Sequence, residues 1–147
     1  MGVAETTLKN RRRGRLKVVL IVLLVLLVFG TPVIIYFRIS ADGRIALREA
    51  KNIKLSFQMI SIEYYAMGDS IYDNTRASGM GEGVRERIDE ILELKGSIKI
   101  TSYDIGNRVV TGFIYTTGSY QVIYTYDKTT GGSYRVNNIF RLFDFAE

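Results

Sequence analysis

The sequence predicts an α+β protein: an N-terminal transmembrane helix that continues into an amphipathic helix, packed on a four-stranded antiparallel sheet, with one extra short helix. Three observations carry this expectation. Residues 18–37 contain no charge. Apolar residues then recur at helical spacing from Ala46 to Met67. From residue 97 onward, β-branched and aromatic residues run in short stretches separated by Gly- and Asn-containing turns.

The first 17 residues carry six bases, Lys9, Arg11, Arg12, Arg13, Arg15 and Lys17, against Glu5 alone. The other 130 residues hold 14 bases and 14 acids, so the net charge of +5 belongs to the N-terminal segment. A nucleic-acid binder spreads Lys and Arg over a folded face, and this distribution predicts no nucleic-acid partner. The 20 residues Val18–Phe37 (VVLIVLLVLLVFGTPVIIYF) match a bilayer core, because 20 helical residues span roughly 30 Å. Gly30, Thr31 and Pro32 are tolerated in lipid, where neighbouring groups satisfy the carbonyl that a proline frees. Tyr36 and Arg38 suit the far interface.

The excess of bases before the span predicts a cytoplasmic N-terminus and an extracytoplasmic C-terminal domain. Bases in that position would also attract anionic headgroups, at about 1 kcal/mol each, but a topogenic role already explains them; the apolar span makes the lipid bilayer the first expected partner. A cleaved signal peptide would have a shorter apolar region and a small-residue cleavage site. Cuts after Ala41 or Ser40 would place Ile39 or Arg38 at the third residue before the cut, so an uncleaved signal anchor is expected. The chain divides into a basic tail (1–17), a transmembrane helix (18–37) and an extracytoplasmic domain (38–147).

Within that domain Ala46, Ala50, Ile53, Phe57, Ile60, Tyr64 and Met67 form one stripe, with Asp42 as the expected cap and Gly68 as the stop. Residues 68–83, with four Gly plus Asp, Asn and Ser, predict a loop. A second helix is expected over about Glu82–Lys95, with Val84, Ile88, Ile91 and Leu92 on one face and Gly96 as its stop. Strands follow at Ser97–Asp104, Val109–Thr117 and Tyr120–Asp127, with a fourth from about Ser133. Gly106-Asn107, Gly118-Ser119 and 129–132 supply the turns; Gly118-Ser119 is a two-residue hairpin signal with Gly first. The ending Ile139–Phe145 is apolar enough to be buried.

The chemistry open to this chain is narrow. It has no His, Cys or Trp. Zinc fingers, catalytic zinc triads, iron–sulfur clusters, disulfides and imidazole-dependent triads are therefore excluded, and any metal would have to be a hard cation on carboxylates and carbonyls. No enzyme activity and no cofactor are expected. Asp69, Tyr72, Asp73 and Asn74 make the loop the candidate recognition element, but EF-hand spacing is absent, because Ile71 and Thr75 stand two positions after the two Asp. Asx turns account for those residues more simply. Glu63, Asp69 and Asp73 are the carboxylates a glycoside hydrolase could pair, and no motif marks them. Tyr64, Tyr65 and Tyr72 lie off the strands and are not accounted for by sheet formation.

The order of parts, a basic leader, an apolar helix with an internal Pro, an amphipathic continuation, a loop and an antiparallel meander, resembles the type IV pilin and pseudopilin family. Arg13-Gly14 stands where that family's leader ends, and Pro32 lies inside the apolar segment. Arg15 follows where the family has an apolar residue, and Val19 stands where it has Glu, so no cleavage site is carried over. The resemblance implies a structural subunit whose helices contact one another in the membrane, with homo-oligomers or envelope-assembly components as partners. The alternative is a membrane-anchored binding or sensor module that recognises a peptide, glycan or ion through the 68–83 loop.

Overall fold

The structure is a computed structural model; it describes residues 2–138 and 144–146, and side chains from Lys17 to Asn138. The order of elements is α1 (Gly2–Ala66), α2 (Val84–Leu92), β1 (Ser97–Asp104), β2 (Val109–Thr117), β3 (Tyr120–Asp127), β4 (Gly131–Asn138) and β5 (Asp144–Ala146). This is the α+β layout the sequence predicts. The chain separates into two compact units, Met1–Ser40 and Ala41–Glu147.

In the first unit the large apolar side chains between Val18 and Phe37 are 46–69% exposed. They surround the helix, as expected when no protein surface has to be avoided. Among the described residues, α1 is the one helix long and apolar enough to cross a membrane. Pro32 lies inside it without ending it.

Asp42 does not cap a new helix, because α1 is continuous through it. Between Arg38 and Ala46 there is no Pro, and the single Gly43 does not break a helix held on one side by packing. The predicted stripe holds for Ala46, Ala50, Ile53, Phe57 and Ile60, all buried, and Leu47 joins them. Tyr64 is half-buried and Met67 is exposed, so the stripe outruns the sheet at its C-terminal end. Gly68, at φ +81°, closes the helix in a Schellman motif: Asp69 N–H donates to Tyr64 O (2.9 Å) and Gly68 N–H to Tyr65 O (3.0 Å).

The sheet is an antiparallel meander in the order β1-β2-β3-β4-β5. The first three strands have the predicted bounds, and Gly118 (φ +53°) forms the predicted two-residue hairpin that pairs Thr117 with Tyr120. Two expectations need correction. The fourth strand begins at Gly131, whose φ of +84° lets it enter the strand directly from a turn at 128–130. A fifth strand, Asp144–Ala146, pairs with Arg135–Asn137 and makes the sheet five-stranded rather than four-stranded. The unpaired edge that a four-stranded meander would leave on β4 accepts it. Of the ending expected to be buried, residues 139–143 lie outside the described residues.

One sheet face carries Ile98, Ile100, Phe113, Tyr115, Val122, Tyr124, Tyr134 and Val136, all buried. Cross-strand pairing aligns Ile100, Phe113, Tyr124 and Tyr134 in one row and Ile98, Tyr115, Val122 and Val136 in the next. The C-terminal half of α1 covers this face. Phe57 meets Phe113 edge-on at 5.6 Å. The Tyr115 hydroxyl donates to Glu49 Oε2 at 2.7 Å, and Lys54 Nζ lies 5.1 Å over the Tyr124 ring. As α1 advances from Glu49 to Phe57 its sheet partners step back from Tyr115 to Phe113, so it runs antiparallel to β2.

The second helix is shorter than expected. Gly83 (φ +73°) and Glu93 (φ 48°) are both left-handed and bound it to Val84–Leu92. Val84 and Ile88 are buried, whereas Ile91 is 40% exposed. Gly96 is not the helix stop. A Cβ there would collide with Thr116 O and the Tyr115 ring, so Gly96 allows the chain to pass closely over β2.

Candidate functional site

Two regions of the Ala41–Glu147 unit are candidates: the loop singled out by its composition and a groove that only the folded chain creates.

The loop is tightly built. Ile71 and Met80 are buried, and Tyr72 bridges Met80 across it. Gly79 (φ +69°) passes so close to β1 that a Cβ would lie 2.6 Å from Ile100 O, and Ile100 N–H donates to Ser78 O at 2.8 Å. The four candidate residues have separate roles. Asp69 is exposed, and its Oδ1 accepts from Ser70 N–H at 3.2 Å. Tyr72 stacks on Tyr103 with centroids 5.2 Å apart and 15° between planes. Asp73 Oδ1 accepts from Thr75 N–H (2.9 Å) and Thr75 Oγ1 (2.6 Å), while Oδ2 faces Arg76 Nε at 3.3 Å. Those hydrogen bonds, with the Arg76 charge, hold the Asp73 carboxyl below the usual Asp value. Asn74 is exposed in the turn.

The local bonds at Asp73 are the Asx turn that its sequence predicts. Among the described residues no three acids converge on a point that could hold a metal ion. Glu63, the third carboxylate considered, pairs with Arg87 at 3.2 Å. The adjacent tyrosines, which sheet propensity does not explain, also have structural partners. Tyr64 donates its hydroxyl to Glu82 O at 2.7 Å, and Tyr65 lies beneath the Arg108 guanidinium at 3.7 Å.

That last contact opens the second region. The β1–β2 turn reaches back to α1, where Ser61 Oγ donates to Arg108 O at 2.7 Å. Arg108 is held at φ 55°, a left-handed conformation uncommon for a side chain of its size. Asp104 braces the turn by accepting from Asn107 N–H (3.0 Å) and Nδ2 (2.8 Å), which lowers its pKa. Between the helix and this turn lies a groove of about 740 Å³, with Phe57, Ile62, Tyr65 and Val109 among its apolar lining. Its charged lining residues are Lys54 and Arg108, and no acid lines it. Its form is that of a binding site: concave, mainly apolar, with a few polar groups.

Beside the groove, α1 exposes a second apolar stripe. Leu55, Met59 and Ile62 are 57%, 61% and 72% exposed. Their spacing of four and three places them on one helix face, turned away from the buried stripe. That signal was available in the sequence, overshadowed by the longer stripe that packs on the sheet. The groove had no sequence signal, because it requires Arg108 and Tyr65 to meet across 43 positions of chain.

Comparison of the chain with protein-family models, with curated proteins and with solved structures gives no match.

Proposed function

We propose that this chain is a single-pass, membrane-anchored, pilin-like structural subunit with an extracytoplasmic domain and a cytoplasmic basic tail. The observation that carries the reading is the double use of α1. Its segment Val18–Phe37 exposes apolar side chains on every side, and farther along it buries one stripe under the sheet while exposing Leu55, Met59 and Ile62. Isolated surface hydrophobics need no explanation, but a contiguous stripe on a helix marks a contact with another apolar surface. A subunit that assembles through its long helix requires such a face. The charge difference across the apolar segment supports the orientation.

The alternative, an anchored module that recognises a ligand through residues 68–83, has less support. Asp73 is engaged within the loop and Tyr72 is stacked on Tyr103, so the groups best suited to recognition already hold the loop's own shape.

The test is the native mass of the full chain extracted in mild detergent, with its N-terminal residue identified. Species of several copies are expected, and substitution of Leu55, Met59 and Ile62 together by Ser should shift them toward monomer. A mature N-terminus at Arg15 would add pilin-type leader removal. A monomer unaffected by the triple substitution would contradict the assembly reading.

A further inference from the structure

Charge within the domain is segregated. Residues 68–94 carry seven Asp and Glu against three Arg, whereas residues 95–138 carry five Lys and Arg against two Asp. In the acidic region every Arg is already paired: Arg76 with Asp73 and Glu82, Arg85 with Asp89, and Arg87 with Glu63 and Glu90. Glu86 on α2 and Glu93 just past its end form no ion pair among the described residues. They are seven positions apart, roughly 10 Å along a helix. Ile91 lies on the other face of α2, with the buried Val84 and Ile88.

The groove between α1 and the β1–β2 turn is the complement of this surface. Lys54 and Arg108 likewise form no ion pair among the described residues, and their described partners are the tyrosine rings beneath them. Ile105, at the turn, is 77% exposed. A groove edged by two unpaired cations fits an element that offers two unpaired carboxylates.

We propose that the groove receives α2 of a second copy of this chain, Lys54 and Arg108 facing Glu86 and Glu93. Two grooves cannot face one another, because that would oppose like charges. The contact is therefore heterologous, groove to α2, and each copy keeps one free groove and one free α2. Such contacts propagate into a ring or an open row instead of ending at a dimer. This inference rests on the assembly reading above and assigns it a lateral contact outside the membrane.

The test uses the full chain in detergent at low salt, with association followed by light scattering. Lys54→Glu with Arg108→Glu should weaken association on the order of tenfold or more, as should Glu86→Lys with Glu93→Lys. The two double variants mixed together, or all four substitutions in one chain, should restore it, a result that misfolding cannot produce. Because the chain has no Cys, an introduced pair gives a second readout. Gln58→Cys with Glu90→Cys should give an oxidised ladder of dimers, trimers and larger species, and neither single variant should. Equal association of all the charge variants, or cross-linking by Gln58→Cys alone, would overturn the proposed contact while leaving assembly through α1 standing. An unsubstituted chain that is monomeric would overturn both.

Discussion

The segments Val18–Phe37 and Ala46–Ile60 belong to one helix and differ in what covers their apolar side chains. The first is apolar around its whole circumference and exposed throughout; the second is apolar along one buried stripe, with Arg48 and Lys51 exposed off it. Helical propensity does not distinguish them. What differs is where the apolar surface goes: it stays exposed in the first and lies under a sheet rich in Tyr and Val in the second. Breaking one should therefore leave the other intact.

The largest separation is expected from charge placed in the first segment. Leu24→Arg together with Leu27→Arg should cost about 5–7 kcal/mol of insertion, since each Arg near a helix centre costs about 2.5–3.5 kcal/mol. The chain should leave the membrane fraction, with the near-ultraviolet circular dichroism of the folded domain preserved. The converse is Phe113→Ala. Phe113 is fully buried between Phe57 and Tyr124, and its truncation should destabilise the domain by about 3–5 kcal/mol in urea unfolding, without affecting membrane association.

A smaller effect sharpens the packing side. Burial, followed by the bond to Glu49, pushes the Tyr115 hydroxyl up to about 12, and burial raises Tyr134 to about 12. A raised phenol pKa favours the neutral form in the fold. That contribution is complete below the unfolded value near 10 and is lost as pH rises toward 12. Alkaline unfolding should thus begin above about pH 10. Tyr115→Phe should cost about 1–3 kcal/mol at neutral pH, because Glu49 Oε2 loses its donor, and should lessen the alkaline loss. The smallest effect belongs to the exposed stripe: Met59→Ser should change domain stability by no more than about 0.5 kcal/mol, because that side chain lies in the open. A larger loss would mean that the stripe is part of the fold.

Much of this architecture could be read from sequence because its signals are local. A charge-free run, a 4-3 stripe, Gly-first hairpin residues and alternating strand residues each act over a few positions. The bounds of β1, β2 and β3 and the Schellman stop at Gly68 follow from them. The expectations that shifted depended on distant partners. Gly96 looked like a helix stop but serves a close approach to Tyr115. The loop 68–83 read as a candidate recognition element, yet Ile71 and Met80 are buried and Gly79 lies against Ile100. Asp144–Ala146 has no strand signal of its own and pairs because β4 offers an edge. The groove beside Arg108 arises from a turn meeting a helix far away in sequence, and no local pattern encodes that meeting.

The most direct test of the anchored, outward-facing subunit uses the absence of cysteine. A single Cys is introduced either in the basic tail, as Thr7→Cys, or in the β2–β3 turn, as Ser119→Cys, and intact cells producing the full chain are treated with a membrane-impermeant maleimide. Labelling of Ser119→Cys in intact cells, with Thr7→Cys labelled only after lysis, is the predicted result. The reverse pattern, or labelling of both sites only after lysis, would contradict it.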